Sequence, residues 1–117
     1  MDSIDIQKIN TKLDEFISAR DWDQFHNPKN LAMALSVESS ELLELFQWLT
    51  DAESQELDKE KQKEAEMELA DILIYLIRIA DKLDIDLLDA VAKKLEINEQ
   101  RYPVSKVKGK AVKYKEI

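Results

Sequence analysis

Hydrophobic residues recur every three or four positions along most of the chain, and the pattern predicts four helices. Ile6, Ile9, Leu13, Phe16 and Ile17 share one face of a first helix running from Ile4 to Arg20, with Asp2 or Ser3 available as its N-cap. The pattern breaks over residues 21–30, where Pro28 ends any preceding helix and Asn27 or Asn30 can cap the next. A second helix is expected from Leu31 to Leu49. The polar connection Thr50 to Lys61 lacks Gly and Pro, so part of it can itself be helical, and it leads into a third helix from Lys63 to Leu83. The fourth covers Asp86 to Arg101. Pro103 stops it, and the stretch from Val104 to Ile117 has no period, which predicts a loop or a docked extension. There is no internal repeat. The expected architecture is all-α, a four-helix bundle in one domain over 1–117, with a helical core at about 4–101 and a basic tail at 102–117.

Two helices violate their own apolar pattern. On a wheel at about 100° per residue, Leu31, Leu42, Leu45 and Leu49 of the second helix cluster in one direction, with Glu38 at the centre of that sector and Glu41 about 60° to one side. A carboxylate inside an apolar stripe costs several kcal/mol unless something positive meets it. The third helix is apolar on most sides, except for a strip of Glu64, Glu68, Asp71, Tyr75, Arg78 and Lys82 at spacings of three and four. If the two helices pack antiparallel, Glu38, Glu41, Glu68 and Asp71 can converge on one point. A buried salt bridge is one outcome of such acids, a metal ion the other. Oxygen donors without Cys or His select a hard cation, magnesium with manganese as substitute. A di-iron centre would require Glu-x-x-His pairs, and the single histidine, His26, precedes the second helix.

Composition narrows the function classes. One glycine in 117 residues excludes a Gly-rich phosphate loop or dinucleotide fingerprint, and the absence of cysteine removes thiolate chemistry and disulfides, which predicts a reducing, cytoplasmic setting. No apolar run approaches ~20 residues, and the polar stretch Met1 to Asp14 lacks the layout of a secretory leader. Charge is uneven: residues 1–92 carry 9 basic and 22 acidic side chains, or −13, and residues 93–117 carry 8 and 3, or +5, which sum to −8. So acidic a body disfavours nucleic acid as a partner. A phosphate ligand remains compatible through metal and the basic tail.

The order of residues from Arg20 through Trp22, Phe25, His26 and Pro28 to Leu31, then Glu38-Ser-Ser-Glu41 running to Phe46-Gln-Trp48, then Glu68-Leu-Ala-Asp71 and Tyr75, resembles the MazG-like all-α nucleoside triphosphate pyrophosphohydrolases, and within them the dCTP-hydrolysing branch. The resemblance runs from about Ile6 to Tyr114. It includes Lys94, Asn98, Arg101, Tyr102 and Pro103. It implies magnesium-dependent cleavage of a deoxynucleoside triphosphate, dCTP or a related pyrimidine or modified nucleotide, to the monophosphate and pyrophosphate. The family's paired acidic motif falls on Glu38, Glu41, Glu68 and Asp71. It also implies dimers that pair into tetramers with sites at subunit junctions. The branch places a helix-one histidine in its base pocket, where this chain has Leu13 and other non-histidine residues.

On this reading the four acids hold metal, with Glu38 and Glu41 catalytic and Glu41 orienting the attacking water. Lys94 and Arg101 meet the outer phosphates, assisted by Asn98 and Tyr102. Trp22, Phe25, His26, Trp48 and Tyr75 are candidates for the base pocket, each with core packing or a loop contact as the alternative. The runner-up function is a non-catalytic helical oligomeric adaptor whose acid pairs are salt-bridged, and a dUTP pyrophosphatase of the same fold is a further alternative. Because the third helix is apolar on nearly all sides, an oligomer is expected, a dimer or a dimer of dimers.

Overall fold

Helix ends in this chain are set by short polar side chains. A computed structural model describes residues 5–113 and Lys115, all helix, turn or loop with no strand among them. Asp5 accepts a bond from the Lys8 amide at 2.8 Å and starts α1, Ile6–Ala19; Asp2, Ser3 and Ile4, the expected start, lie outside the described residues. A single 3-10 turn follows at Asp23–Phe25. Asn27 caps α2, Pro28–Phe46, from the Asn30 amide at 2.9 Å, with Pro28 in the first turn, where its missing N–H costs nothing. Thr50 and Glu53 form a reciprocal capping box that turns part of the expected connection into α3, Asp51–Gln55. Asp58 caps α4, Lys59–Lys82, and Asp86 caps α5, Leu87–Arg101. The tail contributes one further turn, α6, Val104–Val107, after which Gly109 takes a φ of +77°. The expectations for Tyr114, Glu116 and Ile117 lie outside the described residues.

The chain falls into two compact units, Met1–Asp84 and Ile85–Ile117. In the first, α2 and α4 form the principal helix pair, and α1 packs on α4. Its buried side chains among the described residues are few: Ile17 of α1, Leu31 of α2, and Ala65, Ile77, Arg78 and Ala80 of α4. In the second unit, α5 carries Leu88, Val91 and Leu95 at helical spacing, and all three are exposed.

The two sides of α4 are unequally covered. Its polar strip turns inward: Glu68, Asp71, Tyr75 and Lys82 are half-buried and Arg78 is 1% exposed. Its apolar back turns outward, with Leu69, Leu73 and Leu76 at 55%, 45% and 38% exposure. The helices α2 and α1 pack on that side of α4, and Arg78 and Lys82 of the strip find ion-pair partners there.

Those partners are on α1, on the 3-10 turn and on α4 itself. Arg78 Nη1 donates to Asp14 Oδ1 at 2.6 Å and to Asn10 Oδ1 at 3.1 Å, and Asn10 Nδ2 donates to Asp81 Oδ1 at 2.8 Å. Lys82 Nζ donates to Asp23 Oδ1 at 2.7 Å, tying the 3-10 turn to the same end of α4 and holding the Asp23 carboxyl below its ordinary range. Removing one partner of a buried charge is strongly destabilising, so this network fixes α1 against α4.

Candidate active site

Glu38 and Glu41 lie one turn apart on α2, and Glu68 faces them from α4. One carboxylate oxygen from each of the three lies within 4.8 Å of the others. Glu41, Glu44 and Leu45 share an open cleft with Glu64 and Glu68, so residue numbers rise on α2 as they fall on α4, the antiparallel sense the site requires. Hydrogen bonding of Glu38 with Glu68, burial, hydrogen bonding with Glu41 and the two neighbouring negative charges push the Glu38 carboxyl up to about 7. Oε2 of Glu38 and Oε2 of Glu68 are buried without a hydrogen-bond partner. No Lys or Arg makes an ion pair with Glu38, Glu41 or Glu68 among the described residues, so the salt-bridge outcome finds no support within the chain. Convergent all-oxygen donors with orphaned lone pairs fit a hard divalent cation.

Asp71 follows Glu68 by one turn but is not among the three acids whose oxygens meet. It lines an adjoining cavity of about 550 Å³, together with Leu13 and Phe16 of α1, Trp22, His26 and Tyr75. Burial and the charges of Glu38 and Asp71 raise the Tyr75 phenol, which stays a protonated donor between the acids and the cavity. Burial and the nearby Arg78 charge pull His26 down from its ordinary value, so its imidazole is neutral at pH 7, with Nδ1 buried and unpartnered. Phe16 and Trp22 meet edge-to-face with centroids 5.9 Å apart.

Three of the five candidate base-pocket residues, Trp22, His26 and Tyr75, therefore meet in one cavity, which Phe25 does not line. Trp48 does not line it and stands 86% exposed beyond the end of α2. Lys94, Asn98 and Arg101 share α5 in the second unit, Tyr102 caps that helix, and Lys94 is exposed while Asn98 is half-buried. Sequence reasoning missed Phe16 and Ile17 as cavity wall, because an apolar stripe on α1 looks the same whether it faces a core or a cleft. It also gave no role to Arg78, whose position three residues past Tyr75 on the inward strip was the available signal.

The profile of the MazG-like family matches residues 33–117, which takes in all four acids. The chain belongs to the MazG-like family. Among relatives of this MazG-like chain, dCTP pyrophosphatase 1 from Rattus norvegicus is 46% identical over 105 residues, covering 88% of this chain and 62% of that protein. Its counterpart from Homo sapiens is 44% identical over the same lengths. The chain thus spans 62% of the length of these relatives. The crystal structure of a pyrophosphatase from Archaeoglobus fulgidus superposes with a TM-score of 0.80 at 39% identity, covering 88% of this MazG-like chain and 96% of the other.

Proposed function

We propose that this MazG-like chain is a nucleoside triphosphate pyrophosphohydrolase that adds water across the α–β anhydride bond of dCTP, or of a related pyrimidine or modified deoxynucleotide, releasing the monophosphate and pyrophosphate. The observation that carries this reading is the meeting of Glu38, Glu41 and Glu68, with two buried oxygens unpartnered, beside an apolar cavity lined by Trp22 and Tyr75. The names of its relatives, dCTP pyrophosphatase 1 and a pyrophosphatase, support it.

Glu38, Glu41 and Glu68, with Asp71 beside them, would hold magnesium, or manganese in its place, which supplies charge neutralisation for the phosphates and acidifies a water. Glu41 orients the attacking water and accepts its proton. Trp22 offers a flat face for a base, and Tyr75 donates its phenolic proton at the junction of cavity and acids. From the family pattern, Lys94 and Arg101 contact the phosphates as charge grows on the leaving pyrophosphate, with Asn98 and Tyr102 beside them in the sequence. The exposed apolar back of α4, together with Met33, Val37 and Leu43 of α2, supports burial against further copies of the chain, a dimer or a dimer of dimers. In such an assembly the exposed Trp48 serves a site completed by another subunit. A cytoplasmic, reducing setting suits a chain without cysteine. No described helix is long and apolar enough to cross a membrane.

The test is product analysis with magnesium across the deoxynucleoside triphosphates. Equimolar monophosphate and pyrophosphate, lost on adding a chelator, is the expected result. Diphosphate with orthophosphate, or no turnover of any nucleotide, would overturn the proposal.

A further inference from the structure

The cavity beside the acids draws its walls from elements of unequal rigidity. Asp71, Tyr75 and Arg78 come from the long helix α4, whereas Trp22 and His26 come from the short segment between α1 and α2. That segment holds one 3-10 turn, Asp23–Phe25, built on local bonds. The Trp22 amide donates to the Ile17 carbonyl at 3.0 Å, the Phe25 amide to the Trp22 carbonyl at 2.9 Å, and the His26 amide to the Asp23 carbonyl at 3.0 Å. The turn is entered through Asp21, which sits at a left-handed φ of 54°. Local bonds fix the shape of a turn without fixing its distance from a helix that is remote in sequence. The Asp23 side chain makes a polar tie across that distance. Its Oδ1 accepts from Lys82 Nζ at 2.7 Å, with Arg78 Nη2 farther off at 3.8 Å. Arg78 is already engaged by Asp14 at 2.6 Å and Asn10 at 3.1 Å, so the direct tie from α4 to the turn is that of Lys82.

Neither Lys82 nor Asp23 lines the cavity, yet Trp22 immediately precedes Asp23 and His26 closes the same turn by bonding its carbonyl. On α4, Lys82 lies two turns beyond Tyr75 on the same polar strip. We propose that Lys82 is a positioning residue for the base of the nucleotide: through Asp23 it holds the segment bearing Trp22 and His26 at a fixed distance from Tyr75. The inference rests on the nucleotide reading of the site and deepens it, since the acids act on the phosphates and the Lys82–Asp23 pair sets the slot for the base. A wall ordered before binding spares the ligand the cost of ordering it. An ion pair with an exposed partner adds little to global stability, so breaking this one is felt at the ligand rather than in folding.

The experiment compares wild type, Lys82→Met, Lys82→Arg, Asp23→Asn and the double variant Lys82→Met with Asp23→Asn. Two probes are titrated calorimetrically with magnesium: the non-hydrolysable α,β-methylene analogue of dCTP, and imidotriphosphate, which resists hydrolysis and has no base. Lys82→Met should bind the nucleotide analogue about fivefold more weakly and the base-free probe within about twofold of wild type. Lys82→Arg keeps the charge and the donors, and should restore both affinities to within about twofold. Adding Lys82→Met to Asp23→Asn should cost less than about twofold more, because the tie is already broken. If Lys82→Met fails to fold, Asp23→Asn breaks the same tie from the turn and should show the same split between the probes. The proposal is overturned if Lys82→Met binds the nucleotide as wild type does, or if both probes weaken in parallel, which marks a structural role. It is equally overturned if Lys82→Met keeps its full effect in the Asp23→Asn background, which would mean that the lysine touches the ligand itself, or if the base adds nothing to binding by wild type. Hydrolysis of dCTP by wild type is measured separately: an absent reaction with the binding pattern intact overturns the enzymatic reading and leaves the positioning role standing.

Discussion

Glu38 sits in the leucine sector of α2 and holds its proton up to about pH 7, against 4.5 for an unperturbed glutamate. The sign of the linkage follows. The folded state binds the proton more tightly than the unfolded state, so this group's stabilising contribution is complete below about pH 4.5 and is lost as pH rises through about 7. In metal-free protein, Glu38→Gln should therefore raise the melting temperature at pH 8 and leave it unchanged at pH 4, read by calorimetry. Hydrolysis should disappear in the same variant, and activity retained at saturating magnesium would refute the ligand assignment. Because metal and proton compete for Glu38, stabilisation of wild type by magnesium should grow between pH 6 and pH 8. Trp48 poses a different question at the same scale. At 86% exposure its removal should change the stability of the isolated chain by less than about 0.5 kcal/mol. Yet Trp48→Ala should raise KM for deoxynucleotides by about tenfold through lost stacking, with no change toward tripolyphosphate. An equal loss on both substrates would place Trp48 in packing between subunits rather than against the base.

At the scale of elements, the helices of the first unit begin where a side chain can accept an amide bond and end where the backbone can turn back. Asp58 starts α4 four residues before the expected Lys63, because a cap at a polar position outranks the first apolar residue. At the far end, Leu83 is the C-cap and Asp84 takes a left-handed φ of 56°, and after α1 the same role falls to Asp21 at φ 54°. A non-glycine residue there pays a steric cost of about 1–2 kcal/mol, partly offset by the greater unfolded freedom of glycine. Asp84→Gly should accordingly stabilise the chain by about 0.5 kcal/mol, seen as a higher urea midpoint at constant slope. A lower midpoint would show that the aspartate side chain itself supports the turn.

For the whole molecule, the exposed leucines of α4 and of α5 set the expectation. Leu69 and Leu73 on one helix and Leu88 and Leu95 on the other stand between 45% and 63% exposed, more apolar surface than a soluble monomer usually leaves to water. Light scattering should find a dimer or tetramer at low micromolar concentration, with an unfolding midpoint that rises with protein concentration. A folded, active monomer would remove the assembly proposal. Truncation after Tyr102 should weaken triphosphate binding through the loss of Lys106, Lys108, Lys110 and Lys113, and unchanged kinetics would leave those lysines as solvated charge.

The sequence by itself determined the helical class, the number of long helices and the inward place of Glu38, because periodicity and the cost of a carboxylate in an apolar stripe are local properties that a linear pattern displays. The pairing of Glu-x-x-Glu with Glu-x-x-Asp was legible for the same reason. Tertiary structure decided what no single helix contains: that the oxygens of Glu38, Glu41 and Glu68 meet while Asp71 turns to the cavity. It also decided that Trp22 joins Tyr75 in that cavity while Trp48 does not. The strip of α4 read from sequence as its polar side became its buried side, because Asn10 and Asp14 lie more than 60 residues away along the chain and only the packing of α1 brings them to Arg78. A charge can be buried when distant partners surround it, and distant partners are what a periodic pattern does not record.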